Sequence, residues 1–382
     1  MQNQFIKFIK KPEGTPDKTC FSLEQESLRE INQGDFLIKN LWLSMDPALV
    51  GRMRGESNYA ESVNIGDTMH AYAVGQVIES NNEQVEVGEL RIGRFDMQLY
   101  SIQKSAADST RINTGIADPK AYLSVVGVTG ATAYFGLFDI GQPKPGDTVL
   151  ISAGASSVGT TVAQLAKNIG CKTVAIVSSE QKAHEVINKW GYDDAIAYKG
   201  KSITELEQAI KQACPNGVDI YFDNTSGDIS EAVLDNYNDF ARVVVCGRIA
   251  ISHLQDTRND TGRRDNSILL AKRIKKQGFV ILDYQNRMPE AVLYLASQIT
   301  RGKLKWSEDI LYGIENTPAA FFRMLNGENT GKQLVELATP EHVPTNLVDK
   351  VARRITSPNF PTQFVVNTIK KRNIKKSKMA QH

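Results

Sequence analysis

The sequence predicts an α/β protein in which a doubly wound parallel sheet accompanies a separate domain made mostly of β-strands. From Thr148 onward, short apolar runs alternate with amphipathic helical patterns, whereas residues 1–125 have mainly strand patterns. The chain of 382 residues is also longer than one hydrophobic core usually organises. Two domains are therefore expected.

The alternating region predicts the parallel sheet, because each short apolar run is followed by a helix that can return the chain to the same sheet edge. Strands are predicted at Thr148–Ser152, Thr173–Ser178, Ala195–Tyr198, Asp219–Asp223, Ala241–Cys246, Phe279–Asp283 and Gln333–Leu337. Helices are predicted at Thr160–Asn168, Gln181–Trp190, Ile203–Ala213, Ile229–Tyr237, Ala291–Thr300 and Leu347–Ile355.

The N-terminal region contains two clear strand candidates, Phe36–Trp42 and Ala71–Glu79. Gly75 lies inside the second, where a glycine often marks a bulge or a close backbone approach. Between them, Leu43–Tyr59 carries proline and glycine and little periodicity, so a loop is predicted. It is either an element of a substrate site or a surface connection.

The segment Thr148–Lys182 has the order strand, small-residue turn, helix, strand that is typical of dinucleotide binding. Its turn is Ala153–Gly159 (AGASSVG), and Gly170 closes the helix. A purely structural crossover is the alternative, since small residues also serve close packing. Ligands of such sheets lie at the carboxyl ends of the strands. The residues there are Ala153–Gly159, Ser178–Lys182, Tyr198, Asn224 with Thr225, and Cys246 with Gly247.

The end of the second strand favours NADP over NAD. NAD sites place an acidic residue there for the ribose 2′-hydroxyl, but here Val177 is followed by Ser178 and Ser179. Lys182 follows one turn later, and hydroxyl and ammonium groups can donate to a 2′-phosphate. Glu180 is the one nearby acid, and it keeps NAD open as the alternative.

Composition excludes several classes of function. The four cysteines contain no CxxC pair, and the five histidines do not cluster with them, so neither a disulfide framework nor a zinc site is expected. No apolar run approaches the roughly 20 residues of a membrane span. The N-terminal stretch lacks the apolar core of a signal peptide, and a cytoplasmic location is expected.

The last basic stretch, Ile369–Lys378 (IKKRNIKKSK), predicts a solvated tail. A contact with nucleic acid or with an anionic surface is the alternative, although the stretch lacks the interleaved aromatic residues of a stacking platform.

Five longer motifs resemble one known family. They are LWLSMDP (Leu41–Pro47), TAYFGL (Thr132–Leu137), VDIYFDNTSGD (Val218–Asp228), GKLKW (Gly302–Trp306) and ENTPAAFFRMLNGENTGKQLV (Glu315–Val335). Together they resemble the zinc-free branch of the medium-chain dehydrogenases/reductases, and within it the group of prostaglandin, 2-alkenal and curcumin reductases.

The resemblance implies a fold, a cofactor and an assembly. It implies a GroES-like β domain at 1–127 and a Rossmann NADP-binding domain at 128–288. A return segment to the first domain would occupy 289–337, and a basic tail 338–382. It also implies NADPH bound between the two domains, and a homodimer.

The resemblance also carries site residues onto this chain. It puts the pyrophosphate on Ser156, Ser157, Val158 and Gly159, and the 2′-phosphate on Lys182 and Tyr198, beside Ser179. Further cofactor contacts fall on Asn224, Cys246–Ser252 with Gly247, Phe279–Gln285 with Val280, and Asn329.

This chain departs from the family pattern at three places. Ser156 replaces the usual glycine of the turn. Ala48, after the SxDP motif, and the segment Cys246–Leu254 (CGRIAISHL) lack the tyrosines thought to hold the substrate carbonyl. The candidates that could replace them are Tyr59, Arg248 and His253.

The resemblance implies NADPH-dependent reduction of the conjugated C=C bond of an α,β-unsaturated aldehyde or ketone. Hydride would reach the β-carbon, and a hydrogen-bond donor would stabilise the enolate oxygen. The sequence does not identify that donor or the proton donor, so the catalytic residues stay open. The rival functions are a zinc-free quinone reductase, and a non-catalytic NADP-binding protein whose tail contacts nucleic acid or an anionic surface.

Overall fold

The computed structural model describes residues 1–55, 61–254, 256–341, 343, 347–358, 360–363 and 365–369. In chain order the strands are β1 (Gln2–Phe8), β2 (Phe21–Ser27), β3 (Phe36–Ser44), β4 (Tyr72–Ser80), β5 (Leu90–Arg94), β6 (Tyr100–Gln103), β7 (Ser109–Arg111), β8 (Thr148–Ser152), β9 (Lys172–Val177), β10 (Asp194–Ala197), β11 (Val218–Asp223), β12 (Tyr237–Val245), β13 (Lys275–Gly278), β14 (Glu308–Tyr312) and β15 (Lys332–Glu336). The α-helices are α1 (Leu49–Arg54), α2 (Val128–Phe135), α3 (Ser157–Lys167), α4 (Glu180–Trp190), α5 (Ile203–Ala213), α6 (Gly227–Val233), α7 (Asn266–Ala271), α8 (Met288–Thr300), α9 (Thr317–Leu325) and α10 (Leu347–Ile355).

The chain divides into two units. Residues 1–124 and 307–355 form the first, here called the β unit. Residues 125–306, together with the chain from 356 onward, form the second, here called the parallel-sheet unit. No helix in the described part of the chain is long and apolar enough to cross a membrane.

The β unit is built on a seven-stranded sheet with the order β14-β15-β3-β4-β5-β7, in which β6 also pairs with β3. Gly75 in β4 marks a close approach, as predicted: an added Cβ would lie 2.3 Å from Ile38 Cγ2 and 2.9 Å from the Lys39 carbonyl oxygen. The register shifts opposite this position, between Asn40 and Trp42. Glycine therefore lets β3 bulge against β4.

The parallel-sheet unit has the strand order β10-β9-β8-β11-β12-β13, and every neighbouring pair is parallel. In chain numbering this is the order 3-2-1-4-5-6 of a doubly wound sheet. All five residues of β8 are buried, because helices cover both faces of a sheet of this kind. The prediction of a parallel sheet with crossover helices is confirmed.

The predicted strand Phe279–Asp283 is wrong. The sixth strand is β13, four residues earlier, and Ile281–Arg287 is a 3₁₀-helix. All residues of β13 are exposed, and it lies at the sheet edge beside β12. An edge strand is held by its backbone hydrogen bonds, so its side chains need no apolar pattern, and the apolar run after it was mistaken for the strand.

The return to the β unit begins at Ser307 rather than at the predicted position 289. Helix α8 stays with the parallel-sheet unit, where Glu290 is fully buried and accepts a hydrogen bond from the Tyr134 hydroxyl at 3.0 Å. Tyr134 and Tyr294 pack ring against ring, with centroids 5.1 Å apart. These buried contacts with α2 explain why α8 does not join the other unit.

The segment after Leu337 is not simply a solvated tail. Helix α10 has the predicted bounds and belongs to the β unit, where Asp349 is buried and pairs with Arg111. The two oxygens of Asp349 accept from the two terminal nitrogens of Arg111 at 3.4 and 3.1 Å. Most of the predicted basic stretch, residues 370–378 of Ile369–Lys378, lies outside the described residues.

Asp349→Ala is expected to lower the free energy of unfolding by about 1–3 kcal/mol, because it leaves a charged donor without its buried acceptor. Urea unfolding measures the change. The matched control is Lys350→Ala on the same helix, since Lys350 is exposed and its removal should change stability by less than about 0.5 kcal/mol. Equal stability of the two variants would mean that α10 does not depend on this ion pair.

Candidate nucleotide site

The turn between β8 and α3 has no room for larger side chains. Ala153 adopts a left-handed conformation with φ of 48°. A Cβ on Gly154 would lie 2.6 Å from Ala175 Cβ on the neighbouring strand, and a Cβ on Gly159 would lie 2.6 Å from the Ala153 carbonyl oxygen. These contacts explain the small residues of the predicted turn and bring the backbone to the start of α3.

Ser156 occupies the N-cap position of α3, and its hydroxyl oxygen accepts from the Gly159 N–H at 3.1 Å. Its φ and ψ of −73° and 164° are extended, so a serine fits without backbone strain. The cap uses one of the N–H groups of the first helical turn. The N–H groups of Ser157 and Val158 also belong to this turn, and a pyrophosphate could accept from them.

Tyr192 supports this turn and was missed by sequence reasoning. Its buried hydroxyl has one hydrogen, which it shares between the carbonyl oxygens of Gly154 (2.9 Å) and Gly159 (2.8 Å). Burial raises the pKa of this phenol well above its ordinary value, so it stays a donor. Tyr192 follows α4 in sequence, and no local pattern links it to a turn more than thirty residues earlier.

Asn224 is fixed against the end of β8. Its backbone N–H donates to Ser152 Oγ at 2.8 Å, and its side-chain amide nitrogen donates to the Ser152 carbonyl oxygen at 2.7 Å. A Cβ on Gly247 would lie 2.7 Å from the Asn224 carbonyl oxygen, so the chain after β12 also closes on this point. The predicted residues Asn224 and Gly247 are therefore neighbours at the carboxyl edge of the sheet.

The buried side chain of Asp223 stabilises the same edge of the sheet through hydrogen bonds. Its buried carboxylate accepts from the backbone N–H groups of Thr225 (3.0 Å) and Ser226 (2.8 Å) and from the Ser230 hydroxyl (2.6 Å). Its carbonyl oxygen accepts from the N–H of Cys246 at 2.8 Å. Burial raises the pKa of the Cys246 thiol to about 12, and the Asp223 carboxylate raises it as well, so this cysteine is no nucleophile at neutral pH.

Two lysines follow the ends of β9 and β10. Ser179 caps α4 by accepting from the Lys182 N–H at 3.3 Å. Burial lowers the pKa of Lys182, the Glu185 carboxylate opposes that shift, and the ammonium of Lys199 adds to it. Lys199, which sequence reasoning missed, follows the half-buried Tyr198. Two ammonium groups that repel each other would both gain from an anion between them.

Two further predicted residues, Phe279 and Val280, follow β13 directly and so lie at the carboxyl edge of the same sheet. The Phe279 ring packs edge-on against Tyr284, with centroids 6.2 Å apart. Asn329 belongs to the β unit, in the turn before β15, where its amide nitrogen donates to the Gly331 carbonyl oxygen at 2.6 Å. Glu180 is exposed in the first turn of α4, where a carboxylate is favourable to the helix.

The structure describes two of the three candidates for the missing tyrosines. Arg248 and His253 are exposed in the parallel-sheet unit, and Tyr59 lies outside the described residues. Within the described part of the chain, no group of three or more His, Cys, Asp or Glu side chains could hold a metal ion.

Two family models match the chain. One is described as the N-terminal domain of oxidoreductase and matches residues 4–112; the other is described as zinc-binding dehydrogenase and matches residues 157–298. These matches confirm the predicted fold class, a GroES-like β domain with a Rossmann domain.

Several proteins are similar over most of the chain. A putative NADP-dependent oxidoreductase of Bacillus subtilis is 38% identical over 88% of this chain and 98% of its own length. The 2-alkenal reductase (NADP(+)-dependent) of Nicotiana tabacum is 35% identical over 84% of this chain and 94% of its own. The crystal structure of CurA from Vibrio vulnificus in complex with NADPH is 35% identical, with a TM-score of 0.82, and covers 88% of this chain and 100% of its own.

If Lys182 donates to the 2′-phosphate as predicted, Lys182→Ala should weaken NADPH binding by about 1–3 kcal/mol and leave NADH binding nearly unchanged, because only NADPH carries that phosphate. Titration of each reduced cofactor by fluorescence measures both affinities. Equal losses for the two cofactors would show that Lys182 does not select the phosphate.

Two variants serve as comparisons. Lys189→Ala removes the same charge from the far end of α4, about 10 Å along the helix axis, and should leave both affinities unchanged. Tyr192→Phe removes the hydroxyl beneath the turn, which both cofactors would use, so it should weaken NADPH and NADH alike.

Proposed function

The chain belongs to the zinc-free branch of the medium-chain dehydrogenases/reductases, with NADP as cofactor, and we propose that it reduces the conjugated C=C bond of α,β-unsaturated aldehydes or ketones. The proposal is supported by similarity, at about a third of the residues, to an NADP-dependent 2-alkenal reductase and an NADPH-dependent curcumin reductase. The proposal concerns the substrate class, which membership of the family does not by itself determine.

The observation that carries the cofactor half is the fit of the carboxyl edge to a phosphorylated dinucleotide. Glycine at 154 and 159 lets the turn pack closely against Ala175 and the Ala153 carbonyl oxygen, and the start of α3 behind this turn offers first-turn N–H groups from which a pyrophosphate could accept. Lys182 and Lys199 follow the ends of β9 and β10, and a 2′-phosphate of a ribose bound there would neutralise their repulsion. The Ser179 hydroxyl can donate to the same phosphate while its oxygen caps α4.

In this family the bound cofactor supplies the hydride. The protein has to orient it, to bind the substrate carbonyl and to keep reactive side chains out of the reaction. Asn224, fixed by two hydrogen bonds to Ser152, and Gly247 would place the carboxyl edge against the cofactor. Cys246, protonated at neutral pH, would not add to the electrophilic β-carbon of an enone.

The test is a spectrophotometric assay of NADPH oxidation with a panel of 2-alkenals, enones and quinones. We expect turnover of alkenals or enones and, by mass spectrometry, a product that has gained two hydrogens at the C=C bond with its carbonyl retained. The saturated aldehyde of each alkenal is the control and should not react. Absence of turnover with every alkenal and enone would reject the proposal, and turnover of quinones alone would favour the quinone reductase.

We also propose that the protein is a homodimer assembled through β13. This edge strand exposes its three side chains, Lys275, Lys276 and Gln277, and the nearby Leu270 is 81% exposed. An unpaired edge favours pairing with the same strand of a second copy about a two-fold axis.

Light scattering should give the mass of two chains, and Leu270→Asp should shift it toward one. The control is Val351→Asp on α10, which should stay dimeric; a single-chain mass for the wild type at micromolar concentration would contradict the dimer.

A further inference from the structure

A cluster of five ionisable side chains lies in the β unit: Arg52, Glu61, His70, Arg94 and Asp96. Arg52 is on α1, His70 precedes β4, and Arg94 and Asp96 stand at and just after the end of β5. Arg94 Nη1 donates to Glu61 Oε2 at 2.6 Å, and Arg94 Nε lies 3.8 Å from Asp96 Oδ1. None of these residues is among those of the nucleotide site described above, and we call the group the Arg52–Asp96 cluster.

Three atoms of this cluster are buried without a hydrogen-bond partner among the described residues: Arg52 Nε, His70 Nδ1 and Asp96 Oδ1. His70 is only 7% exposed, so its unpaired nitrogen is deep. Native proteins satisfy more than nine-tenths of such atoms, because a buried polar atom without a partner costs roughly 1–3 kcal/mol. The guanidinium groups of Arg52 and Arg94 act on both His70 and Asp96, so the three atoms belong to one neighbourhood that a polar ligand could complete.

The backbone holds Asp96 in place. Its φ of 64° is left-handed, a conformation that Asp and Asn tolerate better than most residues. Its N–H donates to the Ala71 carbonyl oxygen at 3.1 Å, and its own carbonyl oxygen accepts from the Gln98 N–H at 2.9 Å. Phe95 and Met97 on either side are buried in the core. The turn therefore fixes the backbone that carries this carboxyl group.

The charges of the cluster favour an anion. Burial raises the pKa of Asp96 to about 7 although the guanidinium groups of Arg94 and Arg52 lower it, and Glu61 adds to the rise. Burial lowers the pKa of His70 to about 4, so this imidazole is neutral at pH 7. Below pH 7 two guanidinium groups thus face one carboxylate. Asp67, near His70, and Tyr72, near Arg94, are the other titratable side chains that act on these groups.

We propose that the Arg52–Asp96 cluster binds a carboxylate, whose oxygens accept hydrogen bonds from the guanidinium of Arg52 and from Nδ1 of His70. The acid form of Asp96 donates a third hydrogen bond to the same group. The ionised form of Asp96 repels it, so binding takes up a proton and weakens as the pH rises through 7. The carboxylate belongs either to a separate small anion or to the substrate itself, in which case the inference rests on the proposed function.

The binding arm uses the full chain without NADPH. Butyrate and the isosteric neutral butyramide are titrated calorimetrically in low-chloride buffer between pH 6 and 9. We expect butyrate to bind at least about tenfold more tightly than butyramide at pH 6, and its affinity to fall by about tenfold per pH unit above 7. Equal affinities for the two compounds, or a butyrate affinity that does not change with pH, would overturn the proposal.

Three variants sharpen this arm. Arg52→Gln should lower butyrate affinity by about tenfold or more, since it removes the charge. Asp96→Asn, which suits the left-handed backbone, should keep butyrate binding but abolish its pH dependence, because an amide donates at every pH. Arg54→Gln on the same helix is the control, since that guanidinium already donates to the Gly14 carbonyl oxygen at 2.6 Å, and it should bind as the wild type does. Wild-type binding by Arg52→Gln would contradict the proposal.

The substrate arm compares an enone that carries a carboxylate with its methyl ester in the NADPH assay. A lower KM for the acid, lost in Arg52→Gln, would assign the carboxylate to the substrate. Equal KM values alongside butyrate binding would assign the site to a separate anion. If no enone is turned over, the proposed function fails while the calorimetric arm still decides the carboxylate site.

Discussion

The buried hydroxyl of Tyr192 and the two carbonyl oxygens that it contacts form the constraint on which the nucleotide site depends. Those carbonyls belong to Gly154 and Gly159, the two ends of the turn, so one side chain fixes the turn's span. The left-handed Ala153 and the absent Cβ groups then leave the chain one route from β8 into α3. The first-turn N–H groups of α3 point where they do because this route is fixed.

At the ends of the neighbouring strands, inward-facing side chains likewise hold the loop backbone close to the sheet. Ser152 Oγ accepts a hydrogen bond from the Asn224 N–H, and Gly247 lies against Asn224. The Asp223 carboxylate accepts from the N–H of Ser226, in the loop that follows it. After β9 and β10 the edge presents two lysines that repel each other, Lys182 and Lys199. We expect selection between NADP and NAD to depend on these charges, and binding of either cofactor to depend on the geometry of the turn.

The sequence predicted what local chemistry determines. Strand β8 and helices α5 and α10 have their predicted bounds, because apolar spacing and capping residues act within a few positions. The sequence failed to predict features that depend on contacts between distant parts of the chain. It also failed where a strand carries no apolar pattern in its side chains. Tyr192 and Lys199 reach the site through tertiary packing, and the exposed edge strand β13 leaves no apolar pattern to read. The Arg52–Asp96 cluster is likewise assembled from three separate segments of the β unit.

That cluster gives the missing tyrosines a different meaning. A tyrosine hydroxyl suits a neutral carbonyl oxygen, and neither Ala48, after Ser44–Pro47, nor the segment Cys246–Leu254 supplies one. The helix that follows the first of these motifs instead carries Arg52, and the motif itself is tied down by Asp46, which pairs with the buried Lys332. A guanidinium held on a fixed helix, beside a carboxyl group that can take up a proton, suits a charged partner better than a neutral one. The proposed carboxylate site and the proposed nucleotide site would then divide the charged recognition between the two units of the chain.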